Sequence, residues 1–151
     1  MDERFMKEAL KEAYDGINSG HGGPFGSVIV KDGEIVGRGH NCVLKNNDPT
    51  CHGEMMAIHD ACSNLGTFDL SGCDLYTTAE PCPMCLGGIL WANISNVYYG
   101  CTRKDTDEIG FRDEVFYKMM DGGGYPIKEL DRTSCKKLFA DYAAIENKTM
   151  Y

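Results

Sequence analysis

Two short stretches hold the residues best suited to chemistry: "DPTCHGEM", with His52 and Glu54 separated by a single residue, and "AEPCPMC", with Cys82 and Cys85 directly after Pro81. Cysteines three positions apart at a helix start share one side of the first turn. The partial positive charge of a helix N-terminus lowers thiol pKa and keeps such cysteines ready as thiolates. Thiolates together with an imidazole form a donor set for zinc. Three protein ligands, His52, Cys82 and Cys85, leave a fourth position for water, whose pKa zinc brings towards neutrality. Glu54 is too close in sequence to His52 to be a comfortable fourth ligand, yet near enough to reach that water, so it reads as the proton carrier. Taken singly, Cys-x-x-Cys also fits a redox pair or half of a structural zinc knuckle.

The other candidate ligands lack this setting. Cys51 adjoins His52, but adjacent residues at a helix start point in different directions, so it reads as a small buried filler; a closed four-ligand site drawing on Cys51, Cys62, Cys73 or Cys101 is the structural alternative. Cys42, Cys62, Cys73, Cys101 and Cys135 fall on strand or apolar helix positions and are expected in the core. His59 lies two turns beyond His52, too far to share one metal. His21 and His40 show no metal spacing.

The elements that must position these residues follow from hydrophobic periodicity. Phe5, Met6, Ala9, Leu10, Ala13, Tyr14 and Ile17 recur at helical spacing. "PFGSVIV" and "EIVGRGHN" flank Asp32-Gly33 and predict a β-hairpin. Met55, Ile58, Cys62 and Leu65 mark a second helix, "CDLYTT" a buried strand, Cys85 to Leu90 a third helix and "NVYYG" another strand. Strands joined through helices favour parallel pairing, so a mixed sheet with helices on both faces is expected, and both helix starts that carry the ligands lie on one side of it. Beyond Cys101 the pattern predicts a short helix around 115–120, a glycine break at 122–124 and a final helix through Cys135, Leu138, Phe139, Tyr142 and Ile145.

With 151 residues, one domain spanning 1–151 is expected. A net charge of −8 argues against nucleic acid as a partner. No run approaches the roughly 20 apolar residues of a membrane span, and "MDERFMKEAL" is too charged for a signal peptide, so a cytoplasmic location, no membrane partner and reduced cysteines are expected.

His52-x-Glu54 followed by Pro81-Cys82-x-x-Cys85 matches the zinc-deaminase signature. Here the chain resembles the cytidine deaminase-like superfamily and, more narrowly, the bacterial guanine deaminases. The resemblance runs through "GGPFGSVIV", "GRGHN", "NNDPTCHGEM", "LYTTAEPCPMCLGGILWANI", "DTDEIGFRDEVFYK" and "NKTMY". It implies an α/β fold, a three-layer α/β/α sandwich around a five-stranded mixed sheet, and a homodimer in which a C-terminal segment of about 102–151 is swapped onto the partner. Its implied cofactor is zinc on His52, Cys82 and Cys85, and its implied reaction is conversion of guanine to xanthine and ammonia with Glu54 as proton shuttle. Residues implied in binding the nucleobase are Phe25, Asn41, Gly53, Trp91, Asp105 and Tyr151. Two positions depart from the family pattern: Gly53 replaces the usual alanine between His52 and Glu54, and Arg112 stands where an acidic residue follows Gly-Phe. Gly87 and Gly88 inside the third helix suggest close backbone packing, as at a dimer contact. Deaminases of guanosine, cytosine, an aminotriazine or transfer-RNA adenosine, the last disfavoured by the acidic charge and the C-terminal tail, and a zinc-stabilised dimeric scaffold, are the competing readings.

Overall fold

The computed structural model describes residues 2–122 and 125–150; Gly123 and Gly124 of the glycine break, and Tyr151, lie outside the described residues. Helix α1 (Glu3–Asn18) starts at Asp2, whose carboxylate accepts from the Arg4 backbone N–H at 2.9 Å and caps the helix. Strands β1 (Gly26–Lys31) and β2 (Glu34–His40) form the hairpin. Its two-residue turn places Asp32 and Gly33 at φ 52° and 81°, the left-handed pair whose twist suits a tight hairpin. There follow α2 (Val43–Asn46), α3 (Gly53–Leu65), β3 (Cys73–Ala79), α4 (Pro83–Trp91), β4 (Asn96–Cys101), α5 (Arg103–Glu108), α6 (Asp113–Asp121) and α7 (Arg132–Ala143).

The sheet order is β2-β1-β3-β4, with β1 antiparallel to β2 and β3, and β3 parallel to β4 across the α4 connection. Strand β1 is buried on both faces, and its alternate residues build two cores. Val28 and Val30 meet Ala9 of α1 and Tyr76 of β3, whereas Ile29 and Leu75 meet Ala57, Ile58 and Ala61 of α3 and Ile89 of α4. Helix α1 therefore covers one face, and α3 with α4 covers the other.

Three expectations need correction. Among the described residues the sheet has four strands rather than five, because the chain after β4 turns into α5, α6 and α7. Cys101 and Cys135 are exposed rather than in the core, since β4 is a sheet edge and no residue of α7 is buried. Gly87 has open space around it, whereas a Cβ on Gly88 would strike the Met55 sulfur of α3, so only Gly88 serves close packing within this chain.

Candidate active site

Strand β1 runs antiparallel to both β2 and β3, so those two end at the same edge of the sheet, and α3 and α4 begin there. His52 is the N-cap of α3 and Cys82 the N-cap of α4, both with extended backbone, φ −73° and −67°. Neither side chain caps its own helix. They turn towards each other instead: His52 Nδ1 lies 3.5 Å from Cys82 Sγ, and the donor atoms of His52, Cys82 and Cys85 all fall within 4.8 Å of one another. Pro83 at the first position of α4 loses nothing there, because that N–H has no partner inside the helix.

Hydrogen bonds within the trio decide its charge state. Cys82 is held down at about 4, chiefly by the hydrogen bond from the Cys85 thiol and also by His52. Cys85 is pushed far up by its bond to Cys82 and by burial, since two adjacent thiolates in one apolar pocket repel. His52 is raised by its bond to Cys82. The pocket thus brings together a thiolate, a thiol and an imidazole, and a borderline-soft dication in their midst would displace the His52 and Cys85 protons and stabilise the second thiolate. That donor set fits zinc.

Glu54, one residue into α3 after Gly53, is only 6% exposed, and burial pushes its carboxyl up to about 7. The neighbouring Cys85 thiol acts in the opposite sense and favours the carboxylate. Gly53 packs against β1: a Cβ there would sit 3.0 Å from the Phe25 carbonyl oxygen. Phe25 is half-buried, stacks edge-on with Phe111 at 4.8 Å, and its carbonyl accepts the Asn41 backbone N–H at 2.9 Å. Asn41 is buried, with Oδ1 accepting from the Val43 N–H at 3.1 Å.

A cavity of about 880 Å³ opens over His52 and Cys82, walled by Met84, Asp113, Phe116 and Met120. Asp113 escapes a reading of the sequence. As the first residue of α6 it is half-buried beside the trio, and burial and the Cys82 thiolate push its carboxyl up. Only its place at the head of an amphipathic segment hinted at it. Helix α6 is pinned to the α4 start by the Tyr117 hydroxyl, which donates to the Pro81 carbonyl at 2.7 Å, with Arg103 stacked over the Tyr117 ring and bonded to Glu80 at 3.0 Å.

Two expected pocket residues lie elsewhere. Asp105 is exposed and occupied as the third residue of α5, where it forms a reciprocal capping box with Thr102. Trp91 is 68% exposed at the far end of α4, six residues or about 9 Å along the axis from Cys85, in a shallow depression with Gly87, Leu90 and Asn93. Among the described residues, no helix is long and apolar enough to cross a membrane.

Residues 1–101 match the cytidine and deoxycytidylate deaminase zinc-binding region. Guanine deaminase from Bacillus subtilis is 51% identical over 119 residues, covering 79% of this chain and 76% of that protein. The X-ray structure of guanine deaminase from the same species superposes with a TM-score of 0.94 at 44% identity, over 100% of this chain and 99% of that one. A tRNA-specific adenosine deaminase from Aquifex aeolicus is 44% identical over 102 residues, covering 68% of this chain and 67% of that protein. With the zinc-binding region matched through the helix starts that carry His52 and Cys82, the chain belongs to the cytidine and deoxycytidylate deaminase family of zinc-binding enzymes.

Proposed function

We propose that this protein hydrolyses guanine to xanthine and ammonia, with zinc held by His52, Cys82 and Cys85 and with Glu54 as the proton carrier. The observation that carries the reading is a buried carboxyl, Glu54, poised at about 7 against a convergent histidine and two cysteines. The likeness to guanine deaminase extends over the whole chain, including the segment after Cys101 that lies beyond the family's zinc-binding region.

Zinc held by His52, Cys82 and Cys85 would supply Lewis acidity that brings the pKa of water towards neutrality. Glu54 takes a proton from the attacking water as its oxygen bonds to C2 of the base, and delivers it to the ring nitrogen beside C2. A second proton passes through the same carboxyl to the exocyclic nitrogen as the C2–N bond breaks, so ammonia leaves and guanine plus water becomes xanthine plus ammonia. A carboxyl near 7 can both accept and release protons at neutral pH. Asn41 and the Gly53 backbone orient the base, Phe25 packs on it, and the Asp113 carboxylate accepts a purine N–H; Asp113 takes the base-binding role that the family resemblance implied for Asp105.

The protein works as a homodimer in this reading. Residues 125–150 pack little on the body that precedes them, and Ile127 and Leu130 are 88% and 89% exposed. Such apolar surface is stable when buried on a second copy. Helix α6 packs on α4 of its own chain and α5 on α6 and β4, so the exchanged arm begins after α6. Trp91, with Leu86 and Leu90 on an exposed face of α4, belongs to the dimer contact, and Tyr151 at the end of the arm closes the partner's pocket.

The test is ammonia release by the zinc-loaded protein from guanine, guanosine, adenine, cytosine and cytidine, with Glu54→Gln as control. Turnover of guanine alone is expected, falling by about 10²–10⁴-fold in the variant while zinc content is unchanged. Preferential turnover of another base overturns the substrate assignment, and retained activity in Glu54→Gln overturns the role of Glu54.

A further inference from the structure

His21, His40 and Cys42 lie outside the site described above and take part in none of its steps. Nothing in their spacing marks them as a group, yet the fold assembles them: His21 follows the end of α1, His40 ends β2, and Cys42 precedes α2. One donor atom from each falls within 4.8 Å of the other two. His21 Nδ1 and His40 Nε2 face each other at 2.8 Å, with the rings stacked at 5.1 Å. Behind His40, its Nδ1 lies 3.1 Å from Glu12 Oε2 of α1, and Glu12 is in turn 3.8 Å from the Arg38 guanidinium.

Glu12 sets the direction of the pair. A carboxylate only accepts, so His40 Nδ1 carries the hydrogen and Nε2 presents its lone pair towards His21; this tautomer is assigned from the hydrogen-bond network. A carboxylate behind the ring and a lone pair in front is the arrangement by which histidines are oriented on metals.

We propose that His21 Nδ1, His40 Nε2 and Cys42 Sγ form a second site for a zinc-type divalent ion, oriented by Glu12. Two imidazoles and a thiolate select borderline-soft ions over magnesium or calcium. Tetrahedral zinc, with bonds of about 2.0–2.3 Å, spaces its donors about 3.3–3.6 Å apart. The facing nitrogens must part by about half an ångström, and the sulfur must close by no more than about 1.2–1.5 Å. On binding, the Cys42 thiol proton leaves to solvent and the His21 proton moves from Nδ1 to Nε2, so one proton is released per ion. Both rings are part-exposed, which gives the ion a route in and leaves its fourth position to water. Asn41 stands between His40 and Cys42, so an occupied site clamps the backbone on both sides of that residue.

Cobalt(II) serves as the probe, because thiolate-to-cobalt charge transfer absorbs in the near ultraviolet. Chelator-treated full-length protein titrated with Co²⁺ is expected to take up about two equivalents per chain, against about one in Cys42→Ser and in His21→Ala. The Cys82→Ser/Cys85→Ser double variant is expected to retain the equivalent with a single sulfur ligand. His21 lies in a turn, so its variant keeps the test valid if Cys42→Ser folds poorly. Uptake of a single equivalent that the double variant abolishes overturns the second site, as does a second equivalent that survives both Cys42→Ser and His21→Ala. Failure of the catalytic-site reading looks different: uptake is then unaffected in the double variant and still falls in Cys42→Ser.

Discussion

Burial at the start of α3 sets the protonation of Glu54. A carboxyl with an ordinary value of 4.5 is moved to about 7 by desolvation at the start of α3. In the zinc-free protein this shift becomes a stability term. Between about pH 4.5 and 7 the folded state holds a proton on Glu54 that the unfolded state has lost, so this contribution falls as pH rises through that window and levels off above it. Its full size is about 3 kcal/mol. Cys82, held down at about 4, contributes in the opposite sense over the same range, so the Glu54 share is read by difference: from about pH 5 to about pH 8 the urea midpoint of chelator-treated protein is expected to fall relative to that of Glu54→Gln. Asp113 makes a different residue-scale prediction. Its carboxylate faces the cavity without lying in the ligand trio. Asp113→Asn is therefore expected to lower kcat/KM for guanine by about 10–100-fold, mostly through KM, with zinc content unchanged.

At the scale of elements, the position of the site depends on how closely α3 lies on the sheet. A Cβ on Gly39 of β2 would meet the Ala57 nitrogen and, at 2.6 Å, the Gly53 carbonyl oxygen, both backbone atoms of α3. Backbone cannot swing aside as a side chain can, so Gly39→Ala must push the whole helix outwards. The expected result is a loss of about 1–3 kcal/mol in urea unfolding. Weaker zinc retention against a chelator should accompany it, because His52 moves with α3 while Cys82 stays with α4. Helix α6 is positioned in the same manner through Tyr117 and Pro81, which is why an acid distant in sequence from the ligand motifs comes to stand beside them.

The whole molecule presents a compact body and a C-terminal arm with little to pack against. Leu138, Phe139, Tyr142 and Ile145 carry the helical spacing of a buried face, yet all four are exposed. An amphipathic helix gains most of its stability from burying that face, so α7 requires a partner surface. Light scattering is expected to return twice the chain mass at micromolar concentration, with a thermal midpoint that rises with protein concentration. Removing residues 125–151 should abolish the proposed dimer and most of the guanine turnover, while leaving zinc bound, since His52, Cys82 and Cys85 all precede the arm.

The local half of this chemistry was legible in the chain alone. Pro81-Cys82-x-x-Cys85 and His52-x-Glu54 carry their geometry with them, because within one helical turn covalent structure fixes which side chains share a face. The amphipathic helices and the Asp32-Gly33 hairpin were readable for the same reason. Contacts between elements were not. That His52 meets Cys82, that Asp113 rather than Asp105 lines the cavity, that Trp91 lies at the far end of α4, and that His21, His40 and Cys42 converge are all consequences of strand register and helix packing. Those distances arise from the joint burial of two cores on opposite faces of one sheet, a property of the folded whole that no short stretch of sequence contains.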